Sequence, residues 1–102
     1  MLSQLTQFGV IEMNAPYLEV TYRHGQPIAA YLYLTREAGE RSCRTFRAAP
    51  GMLVDFAQSG NAIGIEMTAP ATITVTDINR ILRELGIPLV TGEDLAPLRR
   101  AA

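Results

Sequence analysis

Asp55 and Glu66 are the two carboxylates whose placement could support chemistry in this chain. Each lies in a short apolar stretch, residues 52–56 and 63–67, and a turn-forming segment separates the two stretches. Two carboxylates on one face of neighbouring strands can share a proton or hold a cation. Acid–base catalysis also requires a cleft that sets their pKa values apart. An enzyme or metal site at Asp55 and Glu66 is therefore one hypothesis, and carboxylates that are solvated, or paired with Arg44 or Arg47 on a neighbouring strand, are the simpler interpretation.

Arginine supplies a second set of candidates, because all nine basic residues are Arg. Arg44 and Arg47 stand in a short predicted strand, and a guanidinium fork suits carboxylate or phosphate. Tyr31 or Tyr33 could stack on a base. The formal net charge of −1 does not favour nucleic acid as a partner. Arg-mediated binding of nucleic acid or of a small anion is the alternative function.

The single histidine and the single cysteine offer little for catalysis. A catalytic pair of histidines is impossible within one chain, because His24 is the single histidine. It lies in a turn-forming segment, where we expect it to be exposed. Cys43 has no base close in sequence, so a buried structural thiol is expected. One thiol fits a reducing compartment, which predicts a cytoplasmic location. No zinc-like spacing is present, and we predict no metal and no cofactor.

The clearest element that would position Asp55 and Glu66 is a β-hairpin over about residues 52–68. With a tight turn at Ser59-Gly60, every facing pair on one side is apolar, so that side belongs to the core. The predicted facing pairs are Phe56–Ile63, Val54–Ile65 and Met52–Met67.

A second hairpin is predicted over about residues 17–35, with an open register. Its later strand carries the apolar run IAAYLYL, which predicts a central strand covered on both faces. An amphipathic helix over about 77–85, capped by Thr76 and ended by Gly86, should pack on the sheet. The fold class is thus α+β, an antiparallel sheet of four to five strands with one C-terminal helix. Residues 1–14 are predicted to be a flexible or late-docking arm, and 15–102 a single domain.

Three segments together resemble a known family. They read LEVTY from Leu18, AYLYL from Ala30, and VDF followed by GNAIGIE up to Glu66. In this order they are similar to the short bacterial domain-of-unknown-function family numbered twenty-two eighty-three, whose hairpin has Tyr where Phe56 stands here. The resemblance covers roughly residues 17–90. It implies a small protein without established catalytic residues, and for some members an antitoxin-like role beside a small protein encoded nearby.

The function expected first is a non-enzymatic binding or assembly module. A small sheet has two faces and one main helix covers one of them, so a second copy of the chain is the simplest cover, and a homodimer is expected. No apolar run approaches the length that a membrane helix needs, so no membrane partner is predicted. The Arg-mediated binder is the alternative, and the carboxylate enzyme or metal site comes third.

Overall fold

The fold is a five-stranded antiparallel sheet with helices on one side, which confirms the predicted α+β class. The computed structural model describes residues 16–101, and the side chains of residues 16–98. The spatial order of the strands is β1-β2-β5-β4-β3. The elements are β1 (Tyr17–Arg23), β2 (Gln26–Tyr33), β3 (Arg44–Ala49), β4 (Met52–Phe56), β5 (Ala62–Met67), a 3-10 turn (Pro70–Thr72), α1 (Val75–Leu85) and α2 (Ala96–Ala101).

The first hairpin closes on a two-residue turn. His24 and Gly25 both have positive φ, 53° and 76°, which matches the right-handed twist of the flanking strands. This turn sets the register that the sequence left open, with Tyr17 opposite Tyr33 and a bulge after Thr21. His24 is exposed in this turn, as predicted.

The second hairpin keeps two of its three predicted facing pairs. Met52 lies opposite Met67 and Val54 opposite Ile65, but Phe56 lies opposite Ala62. The Phe56–Ile63 pair is wrong because a bulge leaves Ile63 unpaired. The bulge lies beside the connection between β4 and β5, which is wider than a two-residue turn. Hydrogen bonds from the Ala57 N–H to the Asn61 oxygen and from the Gly60 N–H to the Ala57 oxygen hold this connection.

Strand β2 lies inside the sheet, between β1 and β5, but the prediction that both its faces are covered is wrong. Ala30 and Leu32 are buried, whereas the alternate residues Tyr31 and Tyr33 are half-buried. A tyrosine reads as apolar in a hydrophobic run, yet its hydroxyl lets the ring lie at a wet surface. The run IAAYLYL therefore belongs to a strand with one core face and one solvated face.

Helix α1 begins two residues earlier than predicted. Its cap is Thr74 and not Thr76, because Thr74 has the three-residue spacing to Asp77 that a capping box needs. The Asp77 N–H donates to Thr74 Oγ1 at 3.1 Å, and the Thr74 N–H donates to Asp77 Oδ2 at 2.9 Å. These bonds lower the pKa of Asp77 below its ordinary value. Gly86 ends the helix with φ 73°, as predicted.

The core lies between one face of the sheet and α1. Ile78 and Leu82 of the helix are fully buried, as is Ile65 in the middle of the sheet. The helix therefore covers the face that the apolar alternation predicted. The core cluster contains Ala30, Leu32, Leu34, Met52, Val54, Ile65, Met67, Ile78, Ile81, Leu82, Val90, Leu95 and Leu98.

Two further sequence predictions concern the N-terminal segment and membrane-spanning helices. The predicted arm of residues 1–14 lies outside the described residues. Among the helices of residues 16–101, none has the length and apolar character to cross a membrane.

Candidate functional site

The sheet face opposite α1, which we call the open face, carries two rows of side chains that run across the strands. Residues directly opposite each other in antiparallel strands share a face, so the register defines each row. The first row is Tyr17, Tyr33, Gly64, Asp55 and Thr45. The second row is Glu19, Tyr31, Glu66, Leu53 and Arg47.

Three tyrosine rings form the aromatic part of the open face. The ring of Tyr17 stacks on that of Tyr33, with centroids 4.6 Å apart and planes 13° from parallel. The ring of Tyr31 meets Tyr33 edge-on, with centroids 4.7 Å apart. Offset-stacked and edge-to-face pairs are the arrangements that aromatic quadrupoles favour. The rings are thus held against one another, and Tyr17 is still 51% exposed.

Polar contacts hold Tyr33 from two sides. Its hydroxyl donates to Glu19 Oε1 at 2.9 Å. The Arg36 guanidinium lies over its ring, 5.5 Å from the centroid, a cation–π geometry. Arg36 is itself fixed, because its Nη2 donates to the Ile63 carbonyl oxygen at 2.7 Å, at the bulge of β5. The bulge thereby contributes to positioning the aromatic cluster.

Asp55 is the polar centre of the open face. Its Oδ2 accepts from the Tyr31 hydroxyl at 2.7 Å and its Oδ1 from Thr45 Oγ1 at 2.6 Å. Hydrogen bonds to an ionised carboxylate are stronger than those between neutral groups. Each carboxylate oxygen has two lone-pair directions, so Asp55 can accept further donors from solvent or from a ligand.

Gly64 makes the Tyr31–Asp55 contact possible. Tyr31 belongs to β2 and Asp55 to β4, and β5 lies between them. Gly64 is the β5 residue directly opposite Asp55, and a Cβ placed on it would overlap Tyr31 Oη, Cζ and Cε2. Only the absence of a side chain at this position lets the phenol cross the middle strand.

The surroundings keep two of the tyrosines protonated. Burial and the hydrogen bond to Asp55 raise the pKa of Tyr31 well above its ordinary value. The hydrogen bond to Glu19, with partial burial, raises the pKa of Tyr33. Both phenols are therefore hydrogen-bond donors over the physiological pH range.

The predicted carboxylate pair is partly brought together. Asp55 and Glu66 lie diagonally on β4 and β5 on the open face, as the sequence predicted. Asp55 is engaged by Tyr31 and Thr45, whereas Glu66 makes no hydrogen bond or ion pair with the described residues. Within residues 16–101 no group of three or more His, Cys, Asp or Glu side chains is arranged to hold a metal ion.

The predicted arginine pair is not brought together. Arg44 and Arg47 are three residues apart on the same strand, so their side chains leave opposite faces of β3. Arg44 lies over the ring of Phe56, 5.0 Å from its centroid. Arg47 is at the end of the second row of the open face.

Cys43 is exposed, so the expectation of a buried structural thiol is wrong. It borders a surface cleft of about 560 Å³ that also includes Glu40, Arg41 and Ser59. Hydrogen bonds from the Ser59 hydroxyl and the Glu37 N–H lower the pKa of Glu40. The carboxylate of Glu40 is therefore ionised at neutral pH and opposes binding of an anion beside Arg41.

Sequence reasoning missed Tyr31, Tyr33 and Gly64 as members of one site. Their signal was present in the alternation of Tyr with Ala and Leu in β2, and in a glycine inside an otherwise apolar strand. Tyr31 and Asp55 are 24 residues apart, and only the order of the strands places them together.

Comparisons of the chain with protein-family models, curated proteins and solved structures give no match. The resemblance to family twenty-two eighty-three stays a prediction.

Proposed function

We propose that this chain is a non-enzymatic binding module that recognises another polypeptide through the open face. The observation that carries this proposal is the tyrosine cluster, whose ring centroids lie 4.6 and 4.7 Å apart and in which Glu19 holds the hydroxyl of Tyr33 and Asp55 that of Tyr31. Tyrosine is enriched in the energetic centres of protein interfaces. Side chains already held in place lose little conformational entropy when a partner binds.

The charge of the open face indicates the chemistry of the partner. Glu19, Asp55 and Glu66 are carboxylates, Arg36 already lies over the Tyr33 ring, and the exposed Tyr17 ring can receive a further cation. Arg47 stands apart at the far end of its row. We therefore expect a partner segment that presents Arg or Lys side chains to the tyrosine end of the face. An antitoxin-like role, in which this chain neutralises a small protein encoded nearby, is the specific form of the proposal that the family resemblance supports.

The proposal includes a homodimer and a reducing cellular compartment. Tyrosines with hydrogen-bonded hydroxyls occupy the second face of β2, so that face does not require a second copy as a cover. Support for the homodimer comes from Phe46, a large apolar side chain that is 64% exposed on the edge strand β3. The exposed thiol of Cys43 is compatible with a reducing compartment such as the bacterial cytoplasm.

Affinity capture with matched variants tests the proposal. The tagged chain is incubated with an extract of its native host, beside Tyr17→Ala and Leu89→Ala variants. Tyr17 and Leu89 are similarly exposed, at 51% and 48%, but Leu89 follows α1 and lies away from the open face. We expect one protein to be retained by the wild type and by Leu89→Ala and lost with Tyr17→Ala. Equal retention by all three chains would exclude the open face as the binding surface.

A further inference from the structure

Strand β3 forms one edge of the sheet and is largely exposed. Five of its six residues are exposed, and Phe46 at its centre is 64% exposed although it shares a face with the buried Val54. The opposite edge, β1, is tied to the rest of the domain, since the Tyr22 hydroxyl donates to the Pro97 carbonyl oxygen in α2 at 3.0 Å. An unpaired strand edge offers a row of backbone donors and acceptors to another strand.

We propose that β3 pairs antiparallel with β3 of a second copy, centred on Phe46, so that the partner's Arg47 completes the polar centre at Asp55. This inference rests on the assembly part of the proposed function. It extends that proposal by naming the strand, the register and the residue that the second copy contributes.

Symmetry limits the possible registers. Two identical antiparallel strands are related by a two-fold axis perpendicular to the sheet, so directly opposed residues share a face. The axis must therefore lie midway between one residue of β3 and the same residue of the second copy, and we name it by that residue. An axis at Thr45 pairs only residues 44–46, and an axis at Arg47 sets Arg47 directly opposite its own copy. An axis at Phe46 pairs residues 44–48, the last of them in the bulge that follows Arg47, without placing like charges opposite each other.

The register centred on Phe46 brings together side chains that are exposed on β3 in the single chain, Phe46 and Arg47. The two Phe46 rings become direct neighbours on the side of the helices, a favourable aromatic pair. On the open face, the partner's Arg47 lies directly opposite Thr45. Asp55 is one strand further, so the two Cα atoms are about 10 Å apart across two strand spacings, a distance that an extended arginine and an aspartate can bridge.

The electrostatics favour this contact from both sides. Arg47 makes no hydrogen bond or ion pair with the described residues, and Asp55 still has free acceptor directions. The groups that face Asp55 on the open face are the neutral hydroxyls of Tyr31 and Thr45 and, diagonally, the carboxylate of Glu66 and the chain's own Arg47, while Arg36 lies near Tyr31. A guanidinium from the second copy would add a positive charge to that of the chain's own Arg47, which makes no ion pair with the described residues.

Disulfide trapping tests the register. In a Cys43→Ser background, which removes the native thiol, chains carrying Thr45→Cys are mixed with chains carrying Arg47→Cys and oxidised mildly. The proposed register places these two positions directly opposite, within the Cα separation that a disulfide allows, whereas each position lies more than about 7 Å from its own copy. We expect a covalent dimer from the mixture and little from either variant alone. Equal crosslinking by the single variants and the mixture would overturn the register.

Sedimentation measurements test the contribution of Arg47 itself. The wild type should sediment as a dimer that dissociates on dilution. Arg47→Glu should raise the dissociation constant of the dimer by at least about tenfold, because a glutamate of one copy would face and repel Asp55 of the other. Arg23→Glu makes the same change of charge at the end of β1 and should behave like the wild type. A monomeric wild type, or an unchanged Arg47→Glu dimer, would overturn the inference. A monomer that still loses its captured protein with Tyr17→Ala would leave the proposed function standing.

Discussion

The two faces of this sheet are built from the same five strands but are stabilised in different ways. The face under α1 is apolar and fully buried at residues such as Leu32, Ile65 and Met67. It is stabilised by the hydrophobic effect, which is not directional. The open face is held by directed contacts, with Tyr31 bonded to Asp55 and Tyr33 bonded to Glu19.

This difference separates folding from recognition within a single strand. In β5, Ile65 points into the core while its neighbours Gly64 and Glu66 belong to the open face. A substitution on one face should therefore act mainly on stability, and one on the other mainly on the shape of the binding surface. The predictions below test that separation, beginning with the largest expected effect.

Ile65→Ala should cause the largest loss of stability. Ile65 is 0% exposed, so truncation removes buried methyl groups and leaves a cavity, with an expected cost of about 2–5 kcal/mol in the free energy of unfolding. Glu66→Ala, the next residue and on the opposite face, should change this free energy by no more than about 0.5 kcal/mol. Urea unfolding followed by circular dichroism measures both. Equal costs for the two variants would mean that the faces are not energetically distinct.

Gly64→Ala should cost less, and its cost should depend on Tyr31. The new Cβ overlaps the Tyr31 ring, and overpacking of this kind costs about 1–3 kcal/mol. In a Tyr31→Ala background the obstruction is gone, so the same glycine substitution should be nearly neutral. A double-mutant cycle of unfolding free energies measures this coupling. Additive costs would contradict the close crossing of Tyr31 over β5.

Thr74→Ala tests the helical layer alone. It removes the capping-box acceptor for the Asp77 N–H, with an expected cost of about 1 kcal/mol. Thr76→Ala, which the sequence alone would have chosen as the cap, should be close to neutral. Thermal unfolding compares the two variants, and capture of the partner should be unchanged in both. A larger cost for Thr76→Ala would restore the sequence-based assignment of the cap.

The smallest expected effect is a dependence of stability on alkaline pH. The folded-state pKa of Tyr31 is raised, so its contribution is fully present below the pKa of an unfolded tyrosine, near pH 10, and is lost as the pH rises further. The free energy of unfolding of the wild type should therefore fall more steeply above about pH 10 than that of Tyr31→Phe. Parallel curves for the two proteins would contradict the protonated Tyr31–Asp55 bond.

Local sequence patterns predicted the elements and the core, because those depend on short-range periodicity. The alternation around Val54 and Ile65 was enough to fix most of the second hairpin. The Phe56–Ile63 pair failed because the bulge depends on hydrogen bonds within the connecting loop.

The open face could not be assembled in the same way. Tyr31 reaches Asp55 only because β5 pairs with β2 on one side and β4 on the other, and that strand order is a long-range property of the chain. The hydrophobic run in β2 was misread because it counts the tyrosines with the aliphatic residues. Asp55 was recognised as a candidate, but its partners were not.

The central claim, that the open face binds another protein, is tested most directly by photo-crosslinking in the native host. A photoreactive amino acid is placed at Tyr17 in one strain and at Leu89 in another, two positions of similar exposure on different layers of the molecule. We expect a covalent adduct between the chain and one different protein from position 17 and none from position 89. An adduct from position 89 without one from position 17 would contradict it.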